Sequence, residues 1–280
     1  MNNKITIILT AHKSKKLVLN HLKNFYDYFK IIVIDNSNDL VLKKEISQKY
    51  PNVIFRIMDN NGYGAAVNYA VKFVDSRYFL VSNPDVVGMD INNVLKFEQA
   101  ATKLNDKFSI LGPIDLDLQP KKIKNKYKSE LIEKKRITGI CMFINKKNFD
   151  FIGGFDENIF LYYEDDDICK RSYRYSKNYL LSSVRINHIA GTSVISENIH
   201  EKNKQDDLRM WHFIWSKFYY HKKHYGYILS LIVFLPVIIR INFRISLYKI
   251  INDKKKLNKY SIRWSGLKSS IFGIKSFKRI

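Results

Sequence analysis

Residues 160–171 read FLYYEDDDICKR, which sets Glu164, Asp165, Asp166 and Asp167 side by side. Acids are favoured in the first turn of a helix, where free N–H groups carry partial positive charge. The pattern behind them, Ile168, Cys169, Ser172, Tyr173 and Tyr175 among Lys170, Arg171 and Arg174, reads as a helix start. One or two acids meet that need, and a third and fourth repel their neighbours. The surplus suits a carboxylate that takes a proton, holds a cation or pairs with a basic group. Other polar groups that could do chemistry stand at Asp35-Asn36-Ser37, in DNNGYGAAVN (59–68) and at Ser82-Asn83-Pro84-Asp85. Taken singly, each is ordinary turn chemistry.

The elements that must position these groups are legible as short apolar runs. ITIILT (5–10), KIIVIDNS (30–37), NVIFRIMD (52–59) and RYFLVSNPDV (77–86) read as buried strands. Helical patterns fall between them: an amphipathic stretch with Leu17, Leu19, Leu22, Phe25 and Phe29, then 40–49 and 65–74. Strands alternating with helices of this length predict an α/β fold with a mostly parallel sheet. Ligands of such sheets sit beyond the carboxyl ends of the strands, where the polar segments after strands two, three and four fall together. The turn after the first strand, TAHKSKK, lacks dinucleotide-binding glycine spacing, and no P-loop spacing occurs.

Composition narrows the class. The chain has 280 residues, 46% of them hydrophobic, enough for one large core or a core with an annex. Its two cysteines, Cys141 and Cys169, fit packed thiols in a reducing compartment better than a disulfide framework or zinc knuckle. The N-terminal run resembles a buried strand more than a signal peptide, which points to the cytoplasm. Net charge is +22, unevenly spread: residues 1–200 carry 30 Lys+Arg against 22 Asp+Glu, residues 201–280 carry 18 against 4. A nucleic-acid-binding protein would explain the charge but leaves the acidic cluster unexplained, and no RNP, KH, finger or helix-turn-helix pattern accompanies it. A noncatalytic scaffold of the same fold should have lost the acids. Nucleic acid is therefore not an expected partner.

Taken jointly, VIDNSND, NNGYGAAVN, VSNPDV, GICMFINKKNFDFIGGFDENIFLYYEDDDICKR and INHIAGTS resemble, in order and approximate spacing over residues 4–195, the inverting family 2 glycosyltransferases, most closely their rhamnosyltransferase branch. The resemblance implies the GT-A fold, a nucleotide-sugar half (about 1–115) and an acceptor half (about 116–205). It implies a dTDP- or UDP-sugar donor, with dTDP-rhamnose first, a magnesium or manganese ion, and a glycan acceptor, free or lipid-linked, in cell-surface polysaccharide synthesis. By motif position, Asp165 matches the general base, with Glu164 its neighbour. Asp35 matches the acid that contacts the donor base, with Asn36 beside it, while Thr10, Asn60, Gly62 and Asn68 fall around the nucleoside. Asp85 matches the last acid of the metal-binding DxD motif, and Asn83 replaces its first acid. His188 matches a second metal ligand found in some relatives, although a lone histidine is more often a packed residue. Asp156, in the GGFDE loop, and Tyr163 are expected at the acceptor side.

The C-terminal region, 206–280, reads as a basic, aromatic, membrane-associating helical region. Trp211, Trp215 and Phe218 recur at helical spacing with Lys217, Lys222 and Lys223 available for another face, as on an interfacial helix. The next apolar run, Tyr227 to Ile239, contains Pro236, ends at Arg240 and is shorter than a bilayer span. The alternative is a helical pair packed within the protein, since both share one periodicity. The expected location is the inner face of the cell membrane, peripherally bound.

Overall fold

The computed structural model describes residues 2–117, 129–188 and 199–279. In chain order the elements are β1 (Asn2–Ala11), α1 (Lys15–Phe25), β2 (Phe29–Asp35), α2 (Leu40–Lys49), β3 (Ile54–Ile57), α3 (Tyr63–Val71), β4 (Tyr78–Ser82), β5 (Val86–Val87), α4 (Ile91–Lys103), β6 (Ile110–Asp115), β7 (Leu131–Glu133), β8 (Cys141–Asn145), α5 (Lys146–Phe151), α6 (Glu164–Ser172), β9 (Asn178–His188), α7 (Ile199–Tyr225), α8 (Tyr227–Ile250) and α9 (Lys254–Ile271). Contacts divide the chain into two compact units: Met1–Asp156 with Asp165–Ile195, and Glu157–Glu164 with Ser196–Ile280.

The first unit is built on a nine-stranded sheet in the order β3-β2-β1-β4-β8-β6-β9-β5, with β7 added on β9. Its N-terminal strands are parallel, β1 pairing with β2 and β4, and β2 with β3. Strand β8 enters antiparallel between β4 and β6, which makes the sheet mixed. Alternation along β1 sends Ile5, Ile7 and Leu9 into one core and Ile8 into the other, so the strand is buried on both faces. This explains why its sequence is a continuous apolar run.

Element ends differ from the pattern by a few residues. Helix α1 closes at Phe25, and Phe29 opens β2, because the chain turns at residues 26–28. The stretch 77–86 is two strands, β4 and β5, separated by the Pro84 turn. Helix α6 stops at Ser172, short of Tyr173 and Tyr175. The basic segment 120–136 contains a strand. Its residues 120–128 lie outside the described residues, but Leu131–Glu133 form a strand, pairing antiparallel with β9.

In the second unit α7, α8 and α9 pack on one another around Ile214, Phe218, Phe234, Ile241 and Leu267. This corrects the interfacial reading of α7. Trp211, Trp215 and Phe218 are buried, the two indoles donating to Ser265 Oγ at 3.2 Å and the Ile274 carbonyl at 2.9 Å. Their partner is α9, whose six Lys and Arg hid an apolar stripe of Tyr260, Trp264, Leu267 and Ile271. Pro236 does not end α8, which runs unbroken for 24 residues. Packing against two neighbours overrides the local cost of the proline. The second unit also takes in residues 157–164, expected in the catalytic part, because their rings lie on α7: Phe160 stands 4.6 Å from His212, and Tyr162 and Tyr163 stand 5.6 and 5.8 Å from Phe213.

Candidate active site

Parallel register brings the polar strand ends to one edge. Leu9 is level with Ser82, Thr10 with Ile34, Ala11 with Asp35, and Asp35 with Ile57. Thr10, the 35–39 turn and the 83–85 turn therefore leave the sheet side by side.

Asp35 is fully buried, and both carboxylate oxygens are engaged: Oδ1 accepts from Ser37 Oγ at 2.6 Å, Oδ2 from the Asp39 N–H at 2.7 Å. It shapes the turn that presents Asn36. The Asn36 N–H donates to the Ala11 carbonyl at 2.8 Å, while its Oδ1 is buried without a hydrogen bond. His12, given no role from the sequence, places Nδ1 3.2 Å from the Asn36 carbonyl. At the third strand end, Asn60 is half-buried and Gly62 caps α3. Asn68 does something other than face a nucleoside: its amide donates to the Phe155 carbonyl at 3.0 Å and accepts from the Phe155 N–H at 2.9 Å. That reciprocal pair ties α3 to the loop ahead of the acidic helix.

Asp85 is 2% exposed, yet neither carboxylate oxygen has a hydrogen bond. His188 Nε2 lies 3.2 Å from Oδ2, near enough for charge attraction but not aligned for a hydrogen bond. The Asp85 carboxylate raises the His188 pKa against the opposing effect of burial. The pairing is built in by the sheet, since Val86 is level with His188 in the β5–β9 ladder. A buried carboxylate that meets only a neighbouring imidazole is costly unless something more positive meets it. Asp85 and His188, with Asn83 two residues upstream, thus supply oxygen and nitrogen donors that fit a divalent cation. Among the described residues no group of three or more His, Cys, Asp or Glu is assembled to hold a metal without further ligands.

At the start of α6 the four acids separate into distinct tasks. Asp167 is fully buried and pairs with Arg171 at 2.8 Å; Arg171 in turn donates to the carbonyls of Ile152 and Gly154. It secures the Gly153–Gly154 loop, where Gly154 has φ +68° and a Cβ would come within 2.6 Å of Asn68 Oδ1. Asp166 lies 2.7 Å from Arg136 Nε, and its pKa is pushed up to about 6, by burial first and by neighbouring Asp165 second, against the pull of Arg136. Asp165 faces the chain ahead of β8: Oδ2 accepts from the Gly139 N–H at 3.1 Å, with Arg136 NH2 3.7 Å away. Glu164 is buried in the second unit, and Tyr163 packs there at a tilt against Phe213 and Tyr220, so the ring expected to meet an acceptor is engaged by α7. Asp156 is half-buried at the end of the first unit.

Gly139–Ile140 joins the two carboxylate positions. The Gly139 N–H donates to Asp165, the Gly139 carbonyl accepts from Tyr63 OH at 2.7 Å, and the Ile140 carbonyl accepts from the Asn83 N–H at 2.8 Å. A Cβ on Gly139 would stand 3.2 Å from Asp165 Cβ. Neither Gly139 nor Arg136 stands out in the sequence; the only signal is one glycine opening the run into β8. Cys141 and Cys169 are free, buried thiols, Cys141 pushed up to about 12 by burial.

Comparisons with known proteins bear on the fold and the family. Rhamnosyltransferase WbbL of Escherichia coli K12 is 26% identical over 231 residues, covering 70% of this chain and 84% of the relative. The mannosyltransferase PcManGT of Pyrobaculum calidifontis, solved with GDP-Man and Mn2+, has a TM-score of 0.56 at 12% identity, over 96% of this chain and 87% of that one. TarS 1–349 of S. aureus has a TM-score of 0.52 at 14% identity, over 96% and 92%. The fold is therefore GT-A. The family model described as glycosyl transferase family 2 matches residues 6–153, more than half of the chain and the part that carries the Asp35, Asn60 and Asp85 turns. The protein belongs to glycosyl transferase family 2.

Proposed function

We propose that the protein is an inverting rhamnosyltransferase. It moves the sugar of dTDP-rhamnose onto a hydroxyl of a cell-surface glycan, the acceptor being lipid-linked at the cytoplasmic face of the membrane. In the step, the acceptor oxygen forms a bond to the anomeric carbon from the face opposite the diphosphate. The bond from that carbon to the phosphate oxygen breaks, and its electron pair leaves with the nucleoside diphosphate. The acceptor hydroxyl proton passes to Asp165. The Gly139 N–H and Arg136 hold that carboxylate in place, as a general base must be held. Asn36, Asn60 and Thr10 face the nucleoside, and Asp85 with His188 holds the divalent cation. When bound, that cation neutralises charge on the departing diphosphate.

The observation that supports this reading is the Gly139–Ile140 link, in which the Gly139 N–H donates to Asp165 and the Ile140 carbonyl accepts from the Asn83 N–H of the Asp85 turn. Rhamnose as the sugar is supported by the likeness to WbbL and by the motif resemblance. The test is a panel of dTDP-, UDP- and GDP-sugars, each assayed for release of nucleoside diphosphate. The reading expects dTDP-rhamnose to give the fastest turnover. Turnover with UDP- or GDP-sugars alone overturns the donor assignment, and silence with every donor overturns the activity. In a companion measurement, Asp85→Ala is expected to weaken donor binding at least tenfold in manganese and to leave it unchanged in excess chelator. Equal manganese dependence in variant and wild type would remove Asp85 from the cation site.

A further inference from the structure

The outward face of α8 has a composition that water does not favour. Ile228, Ile232, Leu235, Ile239 and Phe243 are 74, 62, 53, 61 and 63% exposed. Their spacing of three and four residues sets them on a single stripe. The buried positions of the same helix are Ser230, Phe234, Ile241 and Tyr248, two of which carry hydroxyls. A helix on the surface of a water-soluble unit shows the reverse, apolar inside and polar outside. A contiguous exposed apolar stripe of this length marks a contact with protein or lipid.

We propose that this stripe is a membrane-binding surface, with α8 lying along the plane of an anionic bilayer and its outer face sunk to the level of the first acyl carbons. Charge selects the occupant. Residues 208–280 hold 16 Lys+Arg and a single acid, Asp253. A negative lipid surface attracts such a segment. A second copy of the chain would bring the same positive charge to the same place and be repelled. Packing selects the orientation. With 24 residues and a mean hydropathy of 2.1, α8 is long and apolar enough to cross a membrane. Its other side, however, is packed on α7 and α9. Crossing would carry Lys217 of α7 and Lys259 and Arg263 of α9 into hydrocarbon with it, a large cost for each charge. The apolar stripe from Ile228 to Phe243 is also only about 22 Å long at 1.5 Å per residue, short of the ~30 Å hydrocarbon core. An in-plane helix buries the stripe and leaves the basic groups at headgroup level. The inference deepens the membrane location proposed for the transferase, and its test reads lipid binding alone, so it stands or falls separately from the transfer chemistry.

The experiment uses the full chain and the double variant Ile232→Asp/Ile239→Asp. Both positions are more than 60% exposed, so the bundle core is untouched. Circular dichroism and a thermal melt check the fold. In flotation with phosphatidylglycerol-containing vesicles, the wild type is expected to float, less so at high salt, and the variant to bind at least about tenfold more weakly. Because Cys141 and Cys169 are buried, an environment-sensitive dye on Leu235→Cys reports the stripe selectively. Its emission is expected to shift to the blue on these vesicles, and a dye on Lys259→Cys to shift less. Equal flotation of wild type and variant overturns the proposal. So does a wild type that stays off vesicles but elutes as a dimer that the variant converts to monomer, which would assign the stripe to a second copy.

Discussion

Within the acidic cluster of α6, Asp166 is the acid whose protonation the fold visibly disturbs. Its carboxyl titrates near 3.8 when free and is pushed up to about 6 by burial and by Asp165, with Arg136 opposing. Folding therefore favours the neutral form. The contribution to stability is fully present below pH 3.8 and is lost as pH rises through about 6. Asp166→Asn should accordingly raise Tm at pH 7.5 and leave it unchanged near pH 4. Arg136→Ala should lower Tm more at pH 7.5 than near pH 4, because Asp166 is then neutral and only the longer contact with Asp165 is lost. Thermal melts at the two pH values check both, and a Tm gain for Asp166→Asn confined to low pH would reverse the sign. At this scale the sequence was readable where the chemistry is local. Asp85 after a proline and acids at a helix start are signals a few residues long, and so is the i,i+4 pair of Asp167 with Arg171. It was unreadable where a group acts through remote chain. Arg136 reaches Asp166 across thirty residues, and the Asn68 amide is taken up by the Phe155 backbone. Nothing near either residue announces that partner.

Elements were legible in proportion to how uniformly they are buried. Strands β1, β2 and β4 have cores on both faces, so each is an unbroken apolar run bounded by polar turns. Strand β7 was missed because it is three residues long with no fully buried position, and the packed face of α9, within a region expected to be helical, because its charges dominate the sequence. The left-handed pair Tyr162–Tyr163, with φ of 65° and 68°, also lies beyond sequence reading. Bulky residues adopt that conformation only when their surroundings impose it, and here the surroundings are the rings of α7. The Gly153–Gly154 loop is the opposite case, since paired glycines announce positive φ. Gly154→Ala should destabilise the first unit by about 1–3 kcal/mol, through the strained φ and the clash with Asn68. Gly153→Ala, with nothing within 4 Å of its Cβ, should bear the φ strain without the clash and cost less. Chemical denaturation of the two variants checks the order, and equal losses would show that the Asn68 clamp yields freely.

At the scale of the whole molecule, sequence charge separated a nearly balanced part from a strongly basic one, and the contact units follow a similar division. They differ in one segment: 157–164 belongs with the helices, although Asp165 follows it in the chain without a break. What makes the sheet unit a transferase, in this reading, is that Asp165 removes the acceptor proton while the donor is held by other groups. Those two functions separate in the variant Asp165→Asn, whose amide keeps the shape of the carboxylate but accepts no proton. Calorimetric titration of the variant with nucleotide sugar, paired with its rate of acceptor-dependent release of nucleoside diphosphate, tests this most directly. Donor affinity is expected to stay within about threefold of the wild type while turnover falls roughly 100-fold to 10,000-fold, the range for loss of a general base. Wild-type turnover by Asp165→Asn with donor affinity unchanged would contradict it.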